Sequence, residues 1–306
     1  MVAMGPPSMS RIGLSVLVLT LIIFGTCTVA AQEPQSVVWL HPDFEPVFIM
    51  QGPQKGQGVG DQVVQLVREQ LPQYHHITEV ANFKRIIATI GSNQRRACCL
   101  TLLKNPEREK KIAFSEPYML SPQNAIITLK SKLSALARYT DSQGRVSLTA
   151  LMRAPEWTLG FAQGRSYSSE IDTLLQREMH DDNSIHTSRT DIFEGLMRML
   201  QYGRIDFTLA YGYEAYYMAQ KLGFANQMVS LPIQEAPPYS AVYVGCPDTP
   251  WGHGILDAVN GVMRQFRLSS RLLSIYKPWL DASAWQRYQQ DVRRFFQTRT
   301  ANPDTS

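Results

Sequence analysis

With 306 residues, 44% of them apolar, and 30 basic against 26 acidic side chains, the chain has an ordinary globular composition and a net charge of +4. A charge that mild makes no case for nucleic acid as a partner, and the absence of low-complexity tracts excludes a disordered chain. Four cysteines and six histidines, with none at ligand spacing, argue against a zinc site, and neither a metal nor a cofactor is expected.

The first residues address the compartment. Met1 to Arg11 ends in a cation, Ile12 to Phe24 is nearly unbroken apolar sequence, and Thr28-Val29-Ala30-Ala31 offers small residues for cleavage. Residues 1–31 therefore read as a secretory signal peptide. Its apolar core is shorter than the roughly twenty residues a membrane span needs, and no later segment is a candidate span. Cys27 follows Phe24-Gly25-Thr26, a loose lipoprotein pattern, so a lipid anchor is the lesser alternative; cleavage after Ala30 or Ala31 removes that thiol. Without Arg11 the mature chain keeps 29 basic and 26 acidic side chains, close to +3. The remaining length exceeds the usual single core and predicts two lobes. Of the three cysteines left, Cys246 is expected to pair with Cys98 or Cys99, since adjacent cysteines rarely bond to each other. Three buried thiols are the alternative.

Along the chain, strand-like and helix-like segments alternate, the pattern of an α/β fold. Val37 to Leu40 reads as a strand, and Val63, Leu66, Val67 and Leu71 mark one helix face after the glycine-rich run from Gly52 to Gly60. His76 to Val80 is the next strand, Asn82 caps a helix carrying Phe83, Ile86, Ile87 and Ile90, and Ala97 to Leu102 follows as a strand. Then comes NPEREKKIAFSEPY, Asn105 to Tyr118, in which Arg108 is the candidate anion holder. A guanidinium grips a carboxylate through two parallel hydrogen bonds and keeps its charge; a charged turn facing water is the alternative for the same residues.

A second half repeats the grammar. Thr158 to Phe161 reads as strand, Ser168 to Arg177 as helix, Ser184 to Thr187 as strand, a helix starts at Asp191, and Phe207 to Ala210 is strand. Asn124 to Leu129 and Pro237 to Val244, both extended and apolar, are expected to be the crossing strands between lobes. Helices at Gly254 to Arg267 and Ser269 to Tyr276 complete the first lobe. Ala284 to Thr298 reads as an added helix whose apolar stripe (Trp285, Tyr288, Val292, Phe295, Phe296) docks on its own lobe or serves a partner. The expected division is 1–31 signal peptide, 32–122 first part of lobe one, 123–237 lobe two, 238–282 return to lobe one, and 283–306 C-terminal helix and tail.

Phe44-Glu45-Pro46, Gly58-Val59-Gly60-Asp61, PEREKKIAFSEPY, Gly203-Arg204-Ile205-Asp206 and Tyr276-Lys277-Pro278-Trp279 occur here in one order. In that order the mature chain resembles the family 3 extracellular solute-binding proteins, which deliver amino acids and related solutes to ABC importers. The resemblance implies a two-lobed type 2 periplasmic-binding-protein fold, a periplasmic location, a monomer, a small-molecule ligand, and an ABC permease or a membrane sensor as partner. It implies that Arg108, six residues before Phe114-Ser115, grips the ligand's carboxylate. It also points to Arg165 and Ser166, before a helix, as a second anion contact.

Two departures narrow the ligand. Asn105 stands where the family usually has threonine, and Tyr211 stands where the amino-acid binders place the acid that takes the ligand's ammonium, with Glu214 the nearby carboxylate. The expected ligand is therefore a small anionic, carboxylate-bearing solute, walled by Phe44, Tyr118 and Tyr211; Phe44 also reads as a packing residue, as does Tyr213. No catalytic set is legible. An enzyme on the same fold would have to draw on Glu116, Glu214 or His41, which have no partners at telling spacing.

Overall fold

The computed structural model describes residues 1–3, 5, 35–178, 184–187, 192–280 and 282–301. The apolar run expected to be the core of a leader, Cys27, the helix start expected at Asp191 and the tail from residue 302 lie outside the described residues.

The first lobe begins with β1 (Ser36–His41), α1 (Val59–Gln70), β2 (His75–Val80), α2 (Phe83–Gly91), β3 (Ala97–Leu103), the single turn α3 (Pro106–Glu109), β4 (Ile112–Phe114) and β5 (Met119–Pro122). The second lobe contains β6 (Asn124–Leu129), α4 (Leu133–Leu136), α5 (Leu148–Met152), β7 (Leu159–Ala162), α6 (Ser169–Glu178), β8 (Ser184–Thr187), α7 (Ile192–Gln201), β9 (Phe207–Tyr211), α8 (Gly212–Lys221) and β10 (Met228–Pro232). The chain returns through β11 (Tyr239–Pro247) to α9 (Pro250–Phe266), α10 (Ser270–Leu273) and α11 (Ala282–Ala301).

Local signals place these elements. Asn82 accepts a 2.8 Å bond from the Arg85 amide and starts α2. Asp61 accepts the amides of Ile49 and Gly58, tying the glycine-rich loop to the first turn of α1. α9 starts a turn earlier than Gly254 because Thr249 caps it and Pro250 fits the first helical position. Beyond α10 the expected helix tightens into a 3-10 stretch, Ser274–Trp279.

One sheet has the order β2-β1-β3-β11-β4, with β5 also paired to β11; the other has the order β10-β6-β9-β7-β8. Both sheets are covered on two faces. In β1, Val37 and Trp39 pack with α1 and α9, while Val38 and Leu40 pack with Ile86 and Ile90 of α2. The same two-residue alternation decides the disulfide: Cys98 and Cys246 share the first of those cores and are bonded, whereas Cys99 faces the second as a buried free thiol.

Of the two expected crossing strands, 237–244 falls largely in β11, which does join the lobes, and the other needs correcting. Asn124–Leu129 is β6, paired with β9 and β10 inside the second sheet. The strands that join the lobes are β5 and the first half of β11, antiparallel with Ser121 opposite Ser240. On this pair sits α11, with Tyr288, Val292 and Phe296 buried and the Tyr288 hydroxyl donating to the Leu120 carbonyl at 2.9 Å. The stripe on the C-terminal helix therefore covers its own lobe.

Candidate functional site

β3 delivers Asn105 to the edge of lobe one that faces lobe two. The Asn105 side chain accepts the Arg108 amide at 2.9 Å, capping α3, with Pro106 at the first helical position. The charges of that turn separate by direction. Glu107 pairs with Lys110 and Glu109 with Lys104 at the surface, while Arg108 alone turns inward and is 6% exposed. Its guanidinium donates to the Leu103 carbonyl at 2.6 Å and, across the junction, to the Gly164 carbonyl at 2.9 Å. Burial draws its pKa below the ordinary arginine value, opposed by the Asp172 carboxylate.

From lobe two, β7 ends at a turn through Gly164, whose φ of +82° suits a residue without Cβ. Asp172, in the first turn of α6, gathers three donors: the Tyr167 amide at 2.8 Å, the Ser166 hydroxyl, and the Asn105 side-chain amide from lobe one at 2.7 Å. Two polar bridges thus join the lobes, Arg108 to Gly164 and Asn105 to Asp172. Glu45 adds a third, a 2.8 Å ion pair with Lys221 on α8.

Arg165, expected as a second contact for the ligand's anion, is instead committed to a carboxylate of its own chain. It forms two parallel bonds with Glu214, at 2.7 and 2.8 Å, and both side chains are buried. Glu214 also accepts the Tyr211 amide at 3.1 Å, holding the start of α8. Aromatic rings surround the guanidinium: Phe44 at 4.5 Å, Tyr167 at 5.0 Å and Tyr211 at 5.3 Å from its carbon. Burial alone would lower the Arg165 pKa, but the Glu214 carboxylate outweighs it and holds the guanidinium charged. The same guanidinium and the Ala162 amide oppose the burial that still leaves the Tyr167 phenol pushed up to about 12.

Of the seven residues anticipated from the sequence, six meet at this junction: Asn105, Arg108, Phe44, Arg165, Ser166 and Tyr211. Tyr118 does not. Its ring is fully buried in the core of lobe one and its hydroxyl donates to the Leu100 carbonyl, so it supports the sheet beneath the site. Phe44 is both packing and site, lying edge-on to Phe83 and stacked 6.3 Å from Tyr211. Tyr213 is core, stacked on Tyr211 and edge-on to Tyr276 of lobe one. Asp172, Asn124 and Phe193 were missed. Asp172 had a faint signal as an acid in the first turn of a helix just after two serines; Asn124 and Phe193 read only as strand and helix-face residues.

Between the lobes, a cavity of about 360 Å³ is lined by Lys84, Asn105, Arg108, Gly164, Asp172 and Gln176, among others. At the aromatic centre the free space shrinks to about 10 Å³. The residues weighed for catalysis are apart or spent: Glu116 pairs with Arg264 and Arg267 at the surface, Glu214 is held by Arg165, and His41 lines a different cavity on lobe one. Among the described residues, no group of three or more histidine, cysteine or acidic side chains could hold a metal ion. No described helix is long and apolar enough to cross a membrane.

The family described as bacterial extracellular solute-binding proteins, family 3, matches residues 37–282. No curated protein matches the chain. Among solved structures, an ancestral arginine-binding protein bound to arginine is 15% identical, with a TM-score of 0.61, covering 81% of this chain and 100% of that one. An amino acid ABC transporter substrate-binding protein, AbpA of Streptococcus pneumoniae bound to L-arginine, is 18% identical with a TM-score of 0.59, over 85% and 94%. A histidine kinase sensor domain with similarity to periplasmic binding proteins is 12% identical with a TM-score of 0.62, over 81% and 96%. At these identities the likeness is one of fold: two α/β lobes joined by a pair of strands.

Proposed function

Because the chain belongs to the bacterial extracellular solute-binding proteins, family 3, we propose that it is an exported receptor that captures a small carboxylate-bearing solute between its lobes for ABC-type import. One observation carries the ligand side of this reading. Arg108 and Asn105 of lobe one donate to acceptors of lobe two, the Gly164 carbonyl and the Asp172 carboxylate, beside a cavity large enough for a small solute. A solute carboxylate can replace those acceptors, taking two parallel bonds from the guanidinium while keeping the lobes bridged. Contacts to both lobes favour the closed state.

Asp172 lines the same cavity and offers a carboxylate where Tyr211 cannot, which keeps α-amino acids within the ligand class. Relatives of the same fold were solved with arginine, each molecule of which bears a carboxylate. Residues 1–31 act as the leader that takes the chain to the periplasm, where it works as a monomer. Lobe one is 32–122 with 238–282, lobe two is 123–237, and closure turns about β5 and β11. The role is binding and not turnover, since the acids weighed for catalysis are committed to ion pairs.

The test is calorimetric titration of the purified protein against amino acids and other small carboxylates, with Arg108→Ala beside it. An arginine bond to an anion contributes roughly 1.5–3 kcal/mol, so the variant should bind about tenfold more weakly or worse. Unchanged affinity would remove Arg108 from the site. Permease and ATPase genes flanking this one are expected for the import role, and their absence would favour a stand-alone sensor.

A further inference from the structure

The centre of the junction is a cation cage, and the chain fills it with its own side chain. Arg165 is 4% exposed and Glu214 is fully buried. The guanidinium has its edge on the Glu214 carboxylate and reaches Asn124 Oδ1 at 3.4 Å. Its faces are covered by Phe44, Tyr167 and Tyr211, with Phe193 at 6.0 Å. Planar stacking on aromatic rings and a fork of two bonds to a carboxylate are how a guanidinium, rather than an ammonium, is recognised. One of the rings, Phe44, belongs to lobe one; the others and Glu214 belong to lobe two. The occupant therefore touches both lobes, as a bound ligand does, and the space left beside it, about 10 Å³, is room for one water at most.

We propose that this cage is a guanidinium-binding site occupied in cis by Arg165, which both closes the lobes without a ligand and excludes guanidinium-bearing solutes from the centre of the cleft. Removing the side chain exposes a preformed receptor for a free guanidinium ion. The proposal does not depend on the carboxylate reading above, since it rests on Glu214 and the aromatic rings and not on Arg108, although Arg165 also lines the cavity beside Arg108. It predicts that the wild-type protein takes no solute whose recognition requires a guanidinium at Glu214.

The decisive variant is Arg165→Ala in the full chain, which leaves the Glu214 carboxylate buried and unpaired and should destabilise the fold. Its thermal midpoint is followed as guanidinium chloride is raised through the millimolar range, with sodium chloride at equal ionic strength as control. The expected result is a saturable rise of a few degrees in Arg165→Ala, against a flat or falling midpoint in the wild type, where guanidinium acts only as a denaturant. The double variant Arg165→Ala with Glu214→Gln removes both charges and should show no rise. A midpoint that falls with guanidinium in Arg165→Ala as in the wild type overturns the proposal, and so does an equal rise in the double variant. Should Arg165→Ala not fold alone, refolding from urea gives the same decision: more folded protein in guanidinium than in sodium chloride supports the cage, and equal recovery refutes it. Calorimetry with Arg165→Ala then separates the two readings, because free guanidinium should still bind after a further Arg108→Ala change, whereas a carboxylate solute should not.

Discussion

Arg108 and Gly164 meet across the junction: a guanidinium nitrogen of one lies 2.9 Å from the carbonyl oxygen of the other. The residue expected to hold a ligand's carboxylate holds the backbone of the opposite lobe in this closed arrangement. The backbone approach at Gly164 is close although a cavity lies beside it, and its closeness can be measured.

Gly164 is the first place to test it. A Cβ built there would lie 2.8 Å from the Lys84 amide nitrogen and 2.9 Å from its Cα, both backbone atoms of lobe one, and φ is +82°. Gly164→Ala should cost about 1–2 kcal/mol for the left-handed backbone alone and should also prop the lobes apart. Small-angle scattering is expected to show a larger radius of gyration than for the wild type, with both lobes still folded by circular dichroism.

Asn105 probes the second bridge. Asn105→Asp keeps a good helix cap for α3 but sets a carboxylate against Asp172, where a donor now stands at 2.7 Å. Repulsion of about 1–4 kcal/mol, between the limits of water and a protein surface, should open the lobes at neutral pH. One carboxyl of the pair then takes up a proton as the pH falls. Scattering in acid should show closure returning, and an open state that ignores pH would remove this pair from the closing contacts.

His76 sets a pH dependence far from the cleft. Its Nδ1 accepts the Trp39 indole N–H at 2.8 Å, which requires the neutral ring, while its Nε2 donates to the Leu71 carbonyl at 2.9 Å in either protonation state. Burial lowers its pKa from 6.5, with Arg68 adding to the effect. A depressed folded pKa gives stability that is complete above the unfolded value and is lost as pH falls below it. Melting of the wild type between about pH 7.5 and 5.5 should therefore show a larger decline than melting of His76→Gln, in which this titration is gone. Parallel declines would refute the assignment.

Tyr288 ties α11 to a crossing strand. Tyr288→Phe removes only the bond to Leu120 and should cost about 1 kcal/mol. Tyr288→Ala also empties a site packed against Tyr276 at 5.1 Å and Trp285 at 6.0 Å, and should cost roughly 3–5 kcal/mol in urea unfolding. Losses of similar size for the two variants would contradict the packing described.

Much of the fold was legible because it rests on local patterning. The strands at β1 and β3 and the cap at Asn82 depend on neighbours close in sequence, and the structure keeps them. One of the two crossing strands was misplaced because an apolar extended segment such as Asn124–Leu129 looks the same whether it joins lobes or lies inside a sheet. Tyr118 was misassigned for a related reason: a tyrosine at a strand end is ambiguous until the carbonyl its hydroxyl reaches, here Leu100, is known. The choice between Cys98 and Cys99 needed only the knowledge of which sheet face Cys246 occupies.

The sequence by itself determined the α/β grammar, the family, the charged stretch that contains Arg108, and the aromatic and basic residues at strand ends. These follow from periodicity and from motifs whose parts lie within a few residues of one another. Only the tertiary structure decided what those side chains touch. Arg165 and Glu214 are far apart in the chain, one read as a ligand contact and the other as a nearby carboxylate, with nothing to join them; buried together among Phe44, Tyr167 and Tyr211 they become a filled cage. The reason is electrostatic. A buried charge is tolerated only beside its partner, and the identity of that partner is a property of how lobe two folds, which no local stretch of sequence carries.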